Sequence, residues 1–191
     1  ELARGPEGIC RLAYSESFWR SNEYVAGLMR QAGMEVSTNP VGNVVGTYAG
    51  EEAGRIVLGS HIDSVVNAGM FDGCLGVLAG IEAVRTLHED GIRPRHTIEV
   101  AAFAEEEGLV IAGLVGSRAY CGLPPTEIMV ERMEQHGFNQ ADFVAARCKG
   151  PIDYALELHI EQGCVLENQR RQVGVVSDRK STRLNSSHSQ Q

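Results

Sequence analysis

The 191-residue sequence predicts an α/β domain, and three observations lead there. Short apolar runs of strand length alternate with segments of helical periodicity, the pattern of a sheet layered with helices. One run, residues 97–104, is apolar almost throughout, as expected of a strand buried on both faces. The residues able to do chemistry, His61, Asp72, the pair Glu106 and Glu107, and His159, fall where predicted strands end. Ligand sites of layered α/β domains lie beyond the carboxyl ends of their strands.

Taken in order, residues 15–32 place Phe18, Tyr24 or Val25, Leu28 and Met29 at near-helical spacing, with Ser15 as N-cap and Gly33 as stop. Strands follow at 34–38 and 43–48, and a turn over 49–54 leads into a stronger strand at 55–59. Residues 73–87 carry Leu75, Leu78, Ile81, Val84 and Leu87 on a broad apolar helix that ends near His88, ahead of Gly91 and Pro94. After the strand 97–104, the mixed polar segment 112–150 reads as helices around 117–121, 125–136 and 141–147. A last strand, 154–160, delivers His159.

A hydrophobic fraction of 43% is enough for the core of one domain. Seventeen basic against twenty-five acidic residues give a net charge of −8 with no basic cluster before the tail, which excludes the electrostatic footprint of a nucleic-acid or membrane-surface binder. A small-molecule substrate is the expected partner. The five cysteines are odd in number and contain no Cys-x-x-Cys pair, which argues against a disulfide framework and a thiolate zinc site and fits a reducing cytoplasm. No run reaches the length of a membrane span. From residue 178 the chain is Ser/Asn/Gln-rich with one apolar residue, Leu184, so residues 1–177 are read as the folded part and 178–191, with His188, as a non-native-looking or disordered tail.

Imidazole and carboxylate hold zinc, manganese and similar ions, and a catalytic site leaves a position open for water. Asp72, followed by Gly73 at the mouth of a helix, suits a carboxylate that bridges two ions. Asp63, two residues after His61, is placed to orient the imidazole. In extended backbone Glu106 and Glu107 point opposite ways, so that one faces a metal and the other the water, giving ligand and general base in one dipeptide. His88, His96 and His136 stand in polar contexts and read as solvent-exposed.

Five segments together resemble one family: Gly59-Ser-His-Ile-Asp-Ser-Val65, Gly69-Met-Phe-Asp-Gly-Cys-Leu-Gly-Val-Leu-Ala-Gly-Ile-Glu82, Glu99-Val-Ala-Ala-Phe-Ala-Glu-Glu-Glu-Gly108, Gly116-Ser-Arg-Ala119 and Glu157-Leu-His-Ile-Glu-Gln-Gly163. They look like the amidase/hydantoinase-carbamoylase branch of the dinuclear zinc peptidase superfamily, which includes N-carbamoyl-L-amino-acid hydrolases, allantoate amidohydrolases and beta-ureidopropionases. The resemblance spans residues 8–177 and implies a zinc-peptidase-like catalytic domain, a mixed sheet flanked by helices. It implies two divalent metal ions, zinc or manganese with cobalt or nickel also suited to the donors, held by His61, Asp72, Glu107 and His159. Glu106 becomes the general base, with Asp63 grouped beside it as a catalytic residue. Gln162 matches a substrate contact, with a capped turn residue as the competing reading.

The implied reaction is hydrolysis of a C–N bond in a linear amide, an N-carbamoyl amino acid or allantoate, through attack by a hydroxide held between the metals. Two alternatives stand beside it, a dipeptidase or aminoacylase of the same superfamily and a catalytically inactive metal-binding domain. The sequence departs from the family at Leu109-Val-Ile111, where Arg-Phe is usual, at Cys164 in place of proline, and at Ala68 in place of glycine. Family chains continue into a lid and dimerisation domain and supply a last metal-binding histidine. The expectation is therefore a C-terminally truncated fragment, inactive alone, of a parent that forms homodimers through the lid.

Overall fold

A computed structural model describes residues 8–176. The elements run α1 (Glu16–Gln31), β1 (Glu35–Thr38), β2 (Val44–Tyr48), β3 (Glu52–His61), α2 (Cys74–Glu89), β4 (His96–Phe103), α3 (Val115–Tyr120), α4 (Glu127–Met133), a 3-10 turn (Glu134–His136), α5 (Gln140–Ala145), β5 (Tyr154–Leu156) and α6 (Val165–Asn168). The five strands form one sheet in the order β1-β2-β4-β3-β5. β1 and β2, and β2 and β4, pair antiparallel, whereas β3 lies parallel to both β4 and β5. The sheet is thus mixed and flanked by helices, as expected.

Helix α1 starts where the Ser15 hydroxyl accepts the Phe18 N–H at 3.3 Å, and it carries Glu16 in its first turn and Arg30 in its last. Its buried face, Phe18, Val25, Ala26 and Met29, packs with Val77, Ile81 and Val84 of α2 against Val44, Ile98, Val100 and Ala102 of the sheet. The alternate residues of β4 face the other side, where Ala101 and Phe103 pack with Val45, Val57 and Tyr120. Burial on both faces is why 97–104 lacks the alternation of a half-exposed strand. The one charged exception, Glu99, is 8% exposed; it pairs with Arg55 Nε at 3.1 Å and accepts the Tyr120 hydroxyl. A second cluster, with Ile111, Val115, Met129, Met133 and Phe143, holds α3, α4 and α5 together.

Three details differ from the sequence reading. β3 begins at Glu52, with a register irregularity between Glu52 and Arg55, so half of the expected 49–54 turn belongs to the strand. β5 is only three residues long and ends before His159. His96 and His136 are half-buried with partners rather than fully exposed: His96 Nδ1 lies 3.0 Å from the Ala53 carbonyl, and His136 stacks on Tyr14 with ring centres 5.6 Å apart. Among the described residues no helix is long and apolar enough to cross a membrane. The expected boundary at 177/178, the tail and His188 lie outside the described residues.

The chain divides into two compact units, one up to His159 and one from Ile160 onward. In the second, the Glu161 carboxylate accepts the N–H groups of Val165 (2.7 Å) and Leu166 (3.0 Å), satisfying the start of α6.

In the first unit, α2 approaches the sheet through glycine. A β-carbon at Gly76 would overlap the Leu158 carbonyl oxygen and stand 2.7 Å from Ser60 Cβ. Neither neighbour is a flexible side-chain end, so Gly76→Ala should push helix and strands apart and cost roughly 1–3 kcal/mol. The urea midpoint of the variant checks this, and an unchanged midpoint contradicts the close contact.

Candidate metal centre

His61 is the last residue of β3. β3 and β5 run parallel with Ile56 opposite Tyr154 and Leu58 opposite Leu156, and the same register continued past β5 sets His61 opposite His159. Their rings lie near-parallel, 5.8 Å between centres and 30° apart. Ser60 secures this stretch by donating its hydroxyl to Glu157 Oε1 at 2.9 Å. Asp72 enters from the loop ahead of α2, placing Oδ1 3.2 Å from His159 Nε2 and 3.9 Å from His61 Nε2. One donor atom from each of His61, Asp72 and His159 lies within 4.8 Å of the others.

Gly73 makes this approach possible. Its φ is +65°, and a β-carbon there would stand 2.5 Å from Cε1 and Nδ1 of the His61 ring. Both the backbone conformation and the space require glycine. The next residue closes the turn, with the Cys74 N–H donating to the Asp72 carbonyl at 2.7 Å.

The tautomer of His61 follows from its neighbour. Nδ1 lies 3.0 Å from the Asp63 carbonyl oxygen, which can only accept, so Nδ1 carries the hydrogen. In the neutral ring Nε2 then presents a lone pair toward Asp72 Oδ1, an acceptor facing an acceptor. A divalent cation resolves that opposition, and two imidazole nitrogens with a carboxylate are the donors that zinc, manganese, cobalt or nickel accept. The residues present therefore fit a metal ion.

Asp63, 1% exposed, reaches His61 chiefly through its backbone. Its carboxylate Oδ1 is 3.6 Å from His61 Nδ1, while Oδ2 accepts the Glu107 N–H at 3.0 Å. Burial pushes the Asp63 carboxyl above the usual range, against the pull of His61 and of neighbouring backbone N–H groups. Asp63 thus links the end of β3 to the segment after β4.

That segment is not extended. β4 ends at Phe103 and Glu105 adopts a left-handed φ of +57°, so the argument from strand alternation for Glu106 and Glu107 does not apply. The two carboxylates are nonetheless held differently. Glu106 receives the Ser117 N–H on Oε1 at 2.8 Å and the Ser117 hydroxyl on Oε2 at 2.7 Å. Burial pushes its carboxyl up to about 7, while the Ser117 bonds and His61 pull downward. A hydroxyl partner can turn and accept when the carboxyl carries a proton, so Ser117 suits both states. The Glu107 carboxyl is raised by burial, with His61 lowering and Asp72 raising it, which places it in electrostatic reach of the cluster although outside the three-residue group.

The structure therefore gathers His61, Asp72 and His159 directly and brings Asp63, Glu106 and Glu107 beside them. Gln162 belongs to the second unit, where it is exposed and has a left-handed φ of +51°. Sequence reasoning missed Glu105 and Ser117. Glu105 is 1% exposed and accepts the Val110 N–H at 2.7 Å as well as that of Ile111, pinning the loop where the family's Arg-Phe is absent. Ser117 stood in the Gly116-Ser-Arg-Ala119 segment, but no local pattern tied it to Glu106.

Comparison with known proteins gives the family. Residues 57–188 match the model of peptidase family M20/M25/M40, and the chain belongs to that family. It is 41% identical over 192 residues to an N-carbamoyl-L-amino acid amidohydrolase of Geobacillus stearothermophilus, covering 93% of this chain and 47% of that protein. An allantoate amidohydrolase of Escherichia coli is 35% identical, covering 89% and 44% respectively. Among solved structures, a hydantoinase/carbamoylase family amidase from Burkholderia ambifaria superposes with a TM-score of 0.78 at 34% identity, over 88% of this chain and 44% of that one. The chain spans less than half the length of these relatives.

The raised Glu106 carboxyl has a consequence for stability. The folded, metal-free protein holds that proton more tightly than the unfolded chain, so the contribution is fully present below the ordinary value of 4.5 and is lost as pH rises toward about 7. Urea midpoints of the metal-free chain should fall across that interval. Glu106→Gln should flatten the fall, and an identical slope in the variant contradicts the burial of this carboxyl.

Proposed function

We propose that this chain forms the catalytic part of a metal-dependent hydrolase that cleaves C–N bonds in linear amides, with N-carbamoyl amino acids and allantoate as the substrate class. The convergence of His61, Asp72 and His159 beside the Glu106 carboxylate carries the reading. The substrate class rests on the names of the relatives.

His61, Asp72, Glu107 and His159 would hold the divalent ions, two of them and zinc or manganese first. Bound there, such ions acidify a water and polarise the amide carbonyl. Glu106 accepts the proton of the attacking water and returns it to the leaving nitrogen, a task suited to a carboxyl whose proton affinity lies near neutrality. Asp63 keeps the Nδ1 hydrogen of His61 turned away from the cluster and holds the backbone of Glu107, so ligand and base keep their spacing. An N-carbamoyl amino acid would yield the amino acid, carbon dioxide and ammonia. The full-length protein would work as a homodimer in a reducing cytoplasm, where the free cysteines stay reduced.

Two substitutions test the division of labour. In the full-length protein loaded with zinc or manganese, Glu106→Gln should keep its metal and lose about a hundredfold or more in kcat, as when a positioned proton acceptor is removed. Glu107→Gln should lose metal as well as turnover. Ammonia release from N-carbamoyl amino acids and allantoate, with metal content by elemental analysis, reads both. Equal behaviour of the two variants contradicts the assignment, and cleavage of dipeptides without ammonia release from either ureide favours the dipeptidase reading.

A further inference from the structure

Both oxygens of the Glu106 carboxylate are gripped by one residue. The Ser117 N–H reaches Oε1 at 2.8 Å and the Ser117 hydroxyl reaches Oε2 at 2.7 Å. A carboxylate offers about four lone-pair positions, and these bonds occupy one on each oxygen. Turning the carboxylate about its terminal bond breaks at least one of them, so its plane is fixed and the remaining lone pairs have set directions.

Ser117 can impose that plane because it is itself immobilised. Asn43, 0% exposed, accepts the Ala104 N–H on its side-chain oxygen at 2.9 Å and donates its side-chain amide to the Gly116 carbonyl at 3.0 Å. The Gly116 N–H returns a bond to the Ala104 carbonyl at 2.9 Å. A β-carbon at 116 would overlap the Asn43 oxygen and lie 2.5 Å from the Ala104 nitrogen, so α3 meets the end of β4 with no slack. Asn43 is held in turn by Asn39, whose side chain accepts the Asn43 N–H at 3.0 Å. Glu106 and Ser117 thus hang from two segments locked by one buried amide.

We infer that Ser117 is a positioning residue that aims the Glu106 carboxylate at the attacking water through its hydroxyl. The inference rests on the reading of Glu106 as the base. Ser117→Ala keeps the backbone N–H on Oε1 and releases Oε2, so the carboxylate gains freedom to turn while α3 stays in place. Ser117→Thr keeps the hydroxyl.

The experiment uses the full-length, metal-loaded protein and four variants, S117A, S117T, E106Q and the double variant S117A/E106Q. S117A should lower kcat about 10- to 100-fold, the scale expected when a reacting group is misdirected by a fraction of an ångström to one ångström. Its KM, metal content and thermal midpoint should stay near those of the parent, and S117T should recover most of the rate. The double variant should be no slower than E106Q alone, because a clamp has nothing left to aim. Crystal structures of metal-free S117A and S117T supply a readout independent of turnover: the Glu106 carboxylate should be turned or split in S117A and unmoved in S117T. Full activity in E106Q overturns the base itself. An inactive E106Q with a fully active S117A, or an unmoved Glu106 in the S117A crystal, overturns the positioning role and leaves the base intact. Loss of metal or stability in S117A that threonine fails to restore also overturns it, making Ser117 a structural residue.

Discussion

The parallel pairing of β5 with β3 decides whether a metal centre exists in this chain. Neither strand carries a site alone. β3 ends on one imidazole, and the second comes from far along the sequence, opposite the first because the register set by Ile56 and Tyr154 runs on past the ladder. A slip of one residue would turn His159 to the other face of the sheet. β5 is a short edge strand with exposed side chains at Tyr154 and Leu156, so its own ladder gives that register little support. The Ser60–Glu157 hydrogen bond and the close packing of Gly76 against Leu158 hold the stretch beyond it.

Helix α2 supplies the third donor and the tolerance for the other two. Its loop delivers Asp72, and the absence of a side chain at Gly73 lets that loop lie against the His61 ring. A side chain at Gly73 would press on the His61 ring itself, and one at Gly76 would displace Ser60 and Leu158, the chain neighbours of His61 and His159. On the opposite side, Asp63 ties the ligand strand to the acidic segment through Glu107, and Asn43 ties the same segment to α3. The side chains of the candidate site are thus held by backbone groups, the buried Asn43 amide, the Asp63 carboxylate and the Ser117 hydroxyl.

Much of this was legible in the sequence. Helical periodicity located α1 and α2, capping by Ser15 fixed the first boundary, and the apolar run 97–104 announced a strand buried on both faces. The gathering of His61, Asp72 and His159 was legible because ligand-type residues that follow strands converge beyond the carboxyl ends of a layered α/β sheet, although only His61 itself ends a strand. The Glu105–Glu107 stretch was legible in chemistry but not in conformation. A run of acidic residues gives no sign that the first folds back on the Val110 and Ile111 amides in a left-handed turn, or that the second meets a serine on a separate helix. The length of β5 was overread because strand-forming composition continues through 160, whereas tertiary contacts rather than a ladder hold Glu157, Leu158 and His159.

The claim beneath the whole account is that His61, Asp72 and His159 hold a divalent metal. Crystals of the chain equilibrated with zinc, measured at the zinc absorption edge, test it without reference to turnover. The account predicts one or two anomalous peaks bounded by His61 Nε2, the Asp72 carboxylate and His159 Nε2, each about 2.0–2.2 Å from donors of that set. Zinc bound by other side chains while these three stand empty would contradict it.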